Sequence, residues 1–153
     1  MGQFKAMDDF STRCNAIEES YEFMLGYAGQ GLSGDESNPS SDRAREYLQQ
    51  AAQALSGLTE ACATAVKQED LERSETYQSF LDVLDRDALS SLAAVQIVLA
   101  QRRLSSQLID NLNASVHLRA LLTDLFLIDE IMKVRHIPPK TAALGVVLGD
   151  ENK

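Results

Sequence analysis

The sequence lacks tryptophan and has two cysteines, three prolines and eight glycines in 153 residues. The placement of those few glycines and prolines is more telling than their number. From Leu58 to Ile137 there is neither one, a stretch of 80 residues. Glycine and proline are the main punctuators of backbone structure, and sheet proteins need them at every turn. A stretch this long without them excludes a strand-and-hairpin fold and leaves helix. A single helix of that length would reach about 120 Å at 1.5 Å per residue, far beyond a domain of this size. The chain must therefore reverse direction using polar helix-end residues alone.

Other absences narrow the function. Positive charge is scarce: 14 Lys and Arg stand against 23 Asp and Glu, a formal net charge of −9. Such a surface repels phosphate backbones and anionic membranes, so neither nucleic acid nor membrane is expected as a partner. No run of about 18 apolar residues exists to span a bilayer. There is no CxxC, and Cys14 and Cys62 lie on apolar helix faces, as buried thiols of a reducing compartment do. With no apolar leader at the N-terminus, the expected location is cytoplasmic.

What is present is helical periodicity. Phe10, Cys14, Ile17, Tyr21, Met24 and Ala28 recur at four- and three-residue steps, predicting a helix over 8–29 capped by Asp8 or Asp9. Residues 30–41, QGLSGDESNPSS, read as a connecting loop. Ala44, Leu48, Ala51, Leu55, Leu58, Cys62 and Ala65 form a heptad-like seam, predicting one helix over 40–68 that begins at Ser40 or Ser41 and tolerates Gly57 inside it. A third helix over 70–84 is expected to break at Asp85 or Asp87. Two further helices, 87–109 and from Asn113 or Ser115 to about Val134, are apolar on almost every side, as helices buried all round are. The fold class is thus an all-α, antiparallel four- or five-helix bundle over residues 8–134, with a Pro138-Pro139-led tail over 135–153.

One small domain has difficulty hiding two helices of that kind. A second copy of the chain is the simplest cover, with another protein as a further partner. The expectation is accordingly a non-enzymatic interaction protein (an adaptor, assembly chaperone or regulator), homodimeric and without a cofactor.

Residues of interest for a site are few. His117 stands near the start of the last helix with Arg119 beside it, and Arg102 and Arg103 are the densest positive charge, so these four are the candidates for holding an anionic ligand. The run Val116–Leu122 resembles the phospho-acceptor box of histidine-kinase dimerisation helices over seven residues, but it lacks the acidic residue after the histidine and the later proline. The other site reading is a metal- or cofactor-binding bundle centred on His117 and the Glu18/Glu19/Glu22 cluster, with Glu18, Glu22 and His117 as ligands. The Glu-x-x-His pairs of di-iron bundles are not there: Ala114 and Lys133 occupy the positions three residues before His117 and His136.

Overall fold

Periodicity alone left the number of chain reversals open. A computed structural model, which describes residues 2–34 and 38–135, resolves six helices among them and no strand. They are α1 (Gly2–Ala28), α2 (Pro39–Ser56), α3 (Leu58–Gln68), α4 (Glu75–Leu99), α5 (Ser106–Asn113) and α6 (Val116–Arg135). α1 packs on α2, α3 and α5; α4 packs on α2 and α3; α6 packs chiefly on α4. The tail expected from Pro138 onward lies outside the described residues.

The reversals within the glycine- and proline-free stretch are made as the composition requires. Ser74 and Ser105 accept hydrogen bonds from the backbone N–H groups of Tyr77 and Leu108 and so start α4 and α5. Asp70 takes the left-handed conformation, φ 58°, after α3, which a short polar side chain tolerates better than most.

Four expected boundaries are corrected. The helix expected over 40–68 is two, divided at Gly57. An added Cβ there would come within 2.9 Å of the Arg13 guanidinium, which donates hydrogen bonds to the carbonyls of Gln53 and Ala54 at the end of α2. A side chain at 57 would have to push this guanidinium aside, and the helix breaks there with Gly57 at φ −123°. The start of α2 is capped by Asn38, not Ser40 or Ser41, with Pro39 at the first helical position. α4 runs straight through Asp85 and Asp87, since its buried stripe Leu81, Leu84, Ala88, Ser91, Val95 and Val98 continues in steps of three and four past them, and it ends ten residues earlier than the expected 109. Asp9 lies inside α1 and pairs with Arg13 at 3.3 Å, one turn on, instead of capping the helix.

The core holds Phe10, Ile17, Leu48, Leu58, Leu84 and Leu125 with exposures of no more than 2%. Along α1 the buried stripe turns by a three-residue step and continues through Ser20, Met24 and Tyr27, leaving Tyr21 half-buried. Cys14 and Cys62 are buried free thiols. Burial pushes the Cys62 thiol up to about 12 and raises that of Cys14 as well, so neither is a nucleophile at neutral pH.

The ends of three helices are finished by side chains from elsewhere. α1, α2 and α4 have no basic residue in their last turns, so their C-terminal carbonyls need outside donors. Asn113 Nδ2 donates to Met24 O at 2.9 Å and Ser106 Oγ donates to Tyr27 O at 2.7 Å, closing α1. Arg45 donates to Leu99 O and Gln101 O, each at 2.9 Å, closing α4, and Arg13 closes α2. The loop after α1 is drawn into the same junction: Leu32 N–H donates to Ser106 Oγ and Ser106 N–H donates to Leu32 O at 2.8 Å. Gly34, at φ +83°, passes so near Leu104 and Ser105 that an added Cβ would sit 3.0 Å from their backbone. Tyr27, wholly buried, donates its hydroxyl to Leu104 O and is 2.8 Å from Ser41 Oγ. The segment 30–41 is therefore, at Leu32 and Gly34, part of a packed junction and more than a connector.

Candidate interaction face on helices 4 and 6

α6 carries apolar residues on both sides of the helix. Leu118, Leu121, Leu122, Leu125, Ile128 and Met132 are buried. Val116, Leu127, Ile131 and Val134 are not, with exposures of 70, 53, 43 and 54%. These exposed residues, with Ala120, recur at steps of four, three and seven, so they form one stripe along a helix of 20 residues, about 30 Å long. On α4, Ile97 is 63% exposed, Leu89 is 60% exposed and Val83 is also exposed. The expectation that the segment 88–100 is buried on all sides is corrected for the single chain: Ala88, Ser91, Val95 and Val98 face inward, and Leu89, Ala93 and Ile97 face out.

A pair of carboxyl groups fixes how the two stripes relate. Asp124 on α6 is buried and meets Asp87, half-buried on α4. Val83, Ser90, Ala94 and Ile97 stand at −4, +3, +7 and +10 from Asp87. Ala120, Leu127, Ile131 and Val134 stand at the same offsets from Asp124. Helical periodicity puts each set on its aspartate's side of its own helix, so Val83 and Ile97 of α4 and Leu127, Ile131 and Val134 of α6 flank the line along which the two helices meet, whereas the exposed Leu89 and Phe126, two residues beyond each aspartate, face away from it. Burial raises the Asp124 carboxyl to about 7, reinforced by its hydrogen bond with Asp87 and by the charge of that neighbour. Its Oδ2 is buried with no protein partner, and so is the Oγ of Ser91, one turn beyond Asp87 on α4.

The residues singled out from the sequence are dispersed. Arg102 and Arg103 are exposed and line an open hollow of about 620 Å³ with Ile97, Gln101, Ser105 and Leu108. α6, which bears His117 and Arg119, contributes nothing to that lining. Both of those residues are exposed near the start of α6. Glu18 and Glu22 border a second hollow of about 300 Å³ with Tyr21, Leu122 and Phe126. Burial and then the charge of Asp129 raise the Glu18 carboxyl, and Asp129 itself pairs with Lys133 at 2.9 Å. Glu18 thus meets α6 near Asp129, twelve residues or about 18 Å along the helix from His117. Among the described residues no group of three or more His, Cys, Asp or Glu is arranged to hold a metal ion. Of the tyrosines, Tyr47 stacks on Phe23 with ring centroids 4.6 Å apart, and the Arg43 guanidinium lies 5.2 Å above the Phe23 ring, a structural clamp between α1 and α2.

Sequence reasoning passed over Asp124 and Ser91. Their signal was partial: each is the second of a polar pair set in an apolar run, Thr123-Asp124 between Leu121-Leu122 and Leu125-Phe126, Ser90-Ser91 ahead of Leu92-Ala93-Ala94-Val95. Asp87 was read only as a helix break.

No helix among the described residues is long and apolar enough to cross a membrane. Comparison of the chain with protein-family models, curated proteins and solved structures gives no match.

Proposed function

We propose that this chain is a non-enzymatic helical interaction protein of the cytoplasm, an adaptor, assembly chaperone or regulator, that pairs with a second copy through the outer face of α4 and α6. The observation that carries the reading is the exposed stripe Val116, Leu127, Ile131 and Val134, with Val83 and Ile97 alongside. Six large apolar side chains at such exposures present on the order of several hundred Å², approaching the roughly 800 Å² each partner gives to a standard interface. A second copy suits this face better than a short peptide. Two long helices packed side by side with one open side are half of a four-helix layer, and an identical half completes it with closed symmetry. The buried free thiols are consistent with a reducing compartment.

The test is sedimentation equilibrium on the full chain across micromolar to submillimolar concentrations. Wild type is expected to approach twice the chain mass, and the double variant Leu127→Glu/Ile131→Glu to stay at the chain mass with an unchanged helical spectrum. A wild-type protein that remains at the chain mass throughout overturns the pairing.

A further inference from the structure

α6 depends on α4 for most of its packing, and the contact between them contains a carboxyl group from each side. Asp124 is 7% exposed and Ser91 wholly buried, and both leave an oxygen without a protein partner. A carboxylate pair in such a place is tolerable only while a proton is shared between the two groups.

We propose that Asp87 and Asp124 form a proton latch: with one proton between them they hold α6 against α4, and on its loss their mutual repulsion loosens α6 from the rest of the molecule.

The charged surroundings favour this behaviour. From α4 the group facing Asp124 is Asp87, and it supplies the side-chain charge that acts there. The neighbouring Asp85 and Arg86 are exposed. On α6 itself, His117 lies seven residues back on the same side, exposed and about 10 Å away. Arg119 is exposed as well. From α1, Glu18 acts on α6 at Asp129 and Lys133, on another flank. α5 adds Asp110, which is exposed. The neighbours that would neutralise a second negative charge are thus solvated surface groups, and the pair is relieved by a proton.

The direction of the effect follows. An aspartate in the unfolded chain titrates near 3.9, whereas Asp124 in the fold is raised to about 7. The fold therefore keeps a proton that the unfolded chain has lost. The resulting stability is complete at the acid end, is lost as pH rises to about 7 and is absent above it.

The experiment is amide hydrogen exchange on the full chain at pH 5.5 and pH 8, corrected for intrinsic rates, on wild type, Asp124→Asn and Asp87→Asn. Asparagine keeps the size of the protonated acid without its charge. In wild type, protection over residues 118–132 is expected to fall at least tenfold more than over α1 between the two pH values. Asp124→Asn is expected to hold its protection at pH 8, and Asp87→Asn to give a smaller fall than wild type. Carbon-13 titration of the side-chain carboxyls should show Asp124 losing its proton near pH 7, a readout that needs no variant. A midpoint below pH 5 for Asp124, or an Asp124→Asn protein whose α6 loosens as wild type does, overturns the latch. Sedimentation recorded on the same samples reads self-association as mass, so failure of the pairing and failure of the latch are distinguished.

Discussion

Two parts of this molecule bury polar groups between helices and differ in how far those groups are paired. At the end of α1, Tyr27, Ser106 and Asn113 each donate to a carbonyl, of Leu104, Tyr27 and Met24 in turn, and Leu32 N–H donates to Ser106 Oγ, so that only Asn113 Oδ1 stands without a partner. Between α4 and α6, Ser91 Oγ and Asp124 Oδ2 are left without one. Tyr27, Ser106 and Asn113 of the first junction are all buried, whereas the second runs beside an apolar face open to solvent. A satisfied buried network rigidifies and specifies one arrangement, and an incomplete one is where a structure yields. With three side-chain donors met by carbonyls, the α1–α5 junction is the better-tied part of the molecule, and under the proposed latch the α4–α6 layer is the responsive part.

The contrast is broken most severely at its fixed end. Tyr27→Ala removes a fully buried ring and the donor to Leu104 O, and should cost about 3–5 kcal/mol in chemical denaturation. If the loss is below about 1 kcal/mol, the junction is not the anchor. Arg45→Ala leaves the carbonyls of Leu99 and Gln101 uncapped and should cost about 1.5–3 kcal/mol. Arg45→Lys should recover only part, because one ammonium on a flexible stem does not reproduce a fork reaching two carbonyls. Gly34→Ala forces a side chain into a left-handed backbone and against Leu104, for about 1–3 kcal/mol. Each of these should leave the pH response of α6 in place.

Changes to the responsive part should be gentler on stability and stronger on behaviour. Asp124→Asn is expected to raise the melting temperature more at pH 8 than at pH 5, since the wild-type stabilisation is lost progressively between the unfolded value near 3.9 and the folded value of about 7. Thermal scans at the two pH values read this directly. Leu127→Glu/Ile131→Glu should alter monomer stability least, within about 0.5 kcal/mol, because both side chains are exposed. A large loss of monomer stability in that variant would mean the stripe is part of the fold and not a face for a second copy.

The helical character of the chain was legible because it depends on local chemistry. A long stretch without glycine or proline and apolar steps of three and four act within a few residues of themselves. The start of α6 was legible for the same reason. The caps Ser74 and Ser105 instead fall inside the helices expected over 70–84 and 87–109. The break at Gly57 was not legible, because the Arg13 guanidinium that sits against it comes from 44 residues earlier. Asn113 was read as a local cap for the following helix, yet its side chain is given to Met24 O across the fold. The candidate site was less legible still: Arg102, Arg103, His117 and Arg119 drew notice as isolated charged or titratable types, while Asp87 and Asp124 gain significance only from standing against each other.

Composition and periodicity by themselves settled that this protein is all-helical, that it reverses direction on polar residues, and that it has more apolar helix surface than one domain easily hides. Only the tertiary structure decided where that surface emerges, which side chains close the ends of α1, α2 and α4, and that two acids share one buried contact. The physical reason is range. Backbone preference and amphipathic pattern act over one or two turns, but a carbonyl's donor or a carboxyl's neighbour is chosen by whichever distant segment the packing brings beside it.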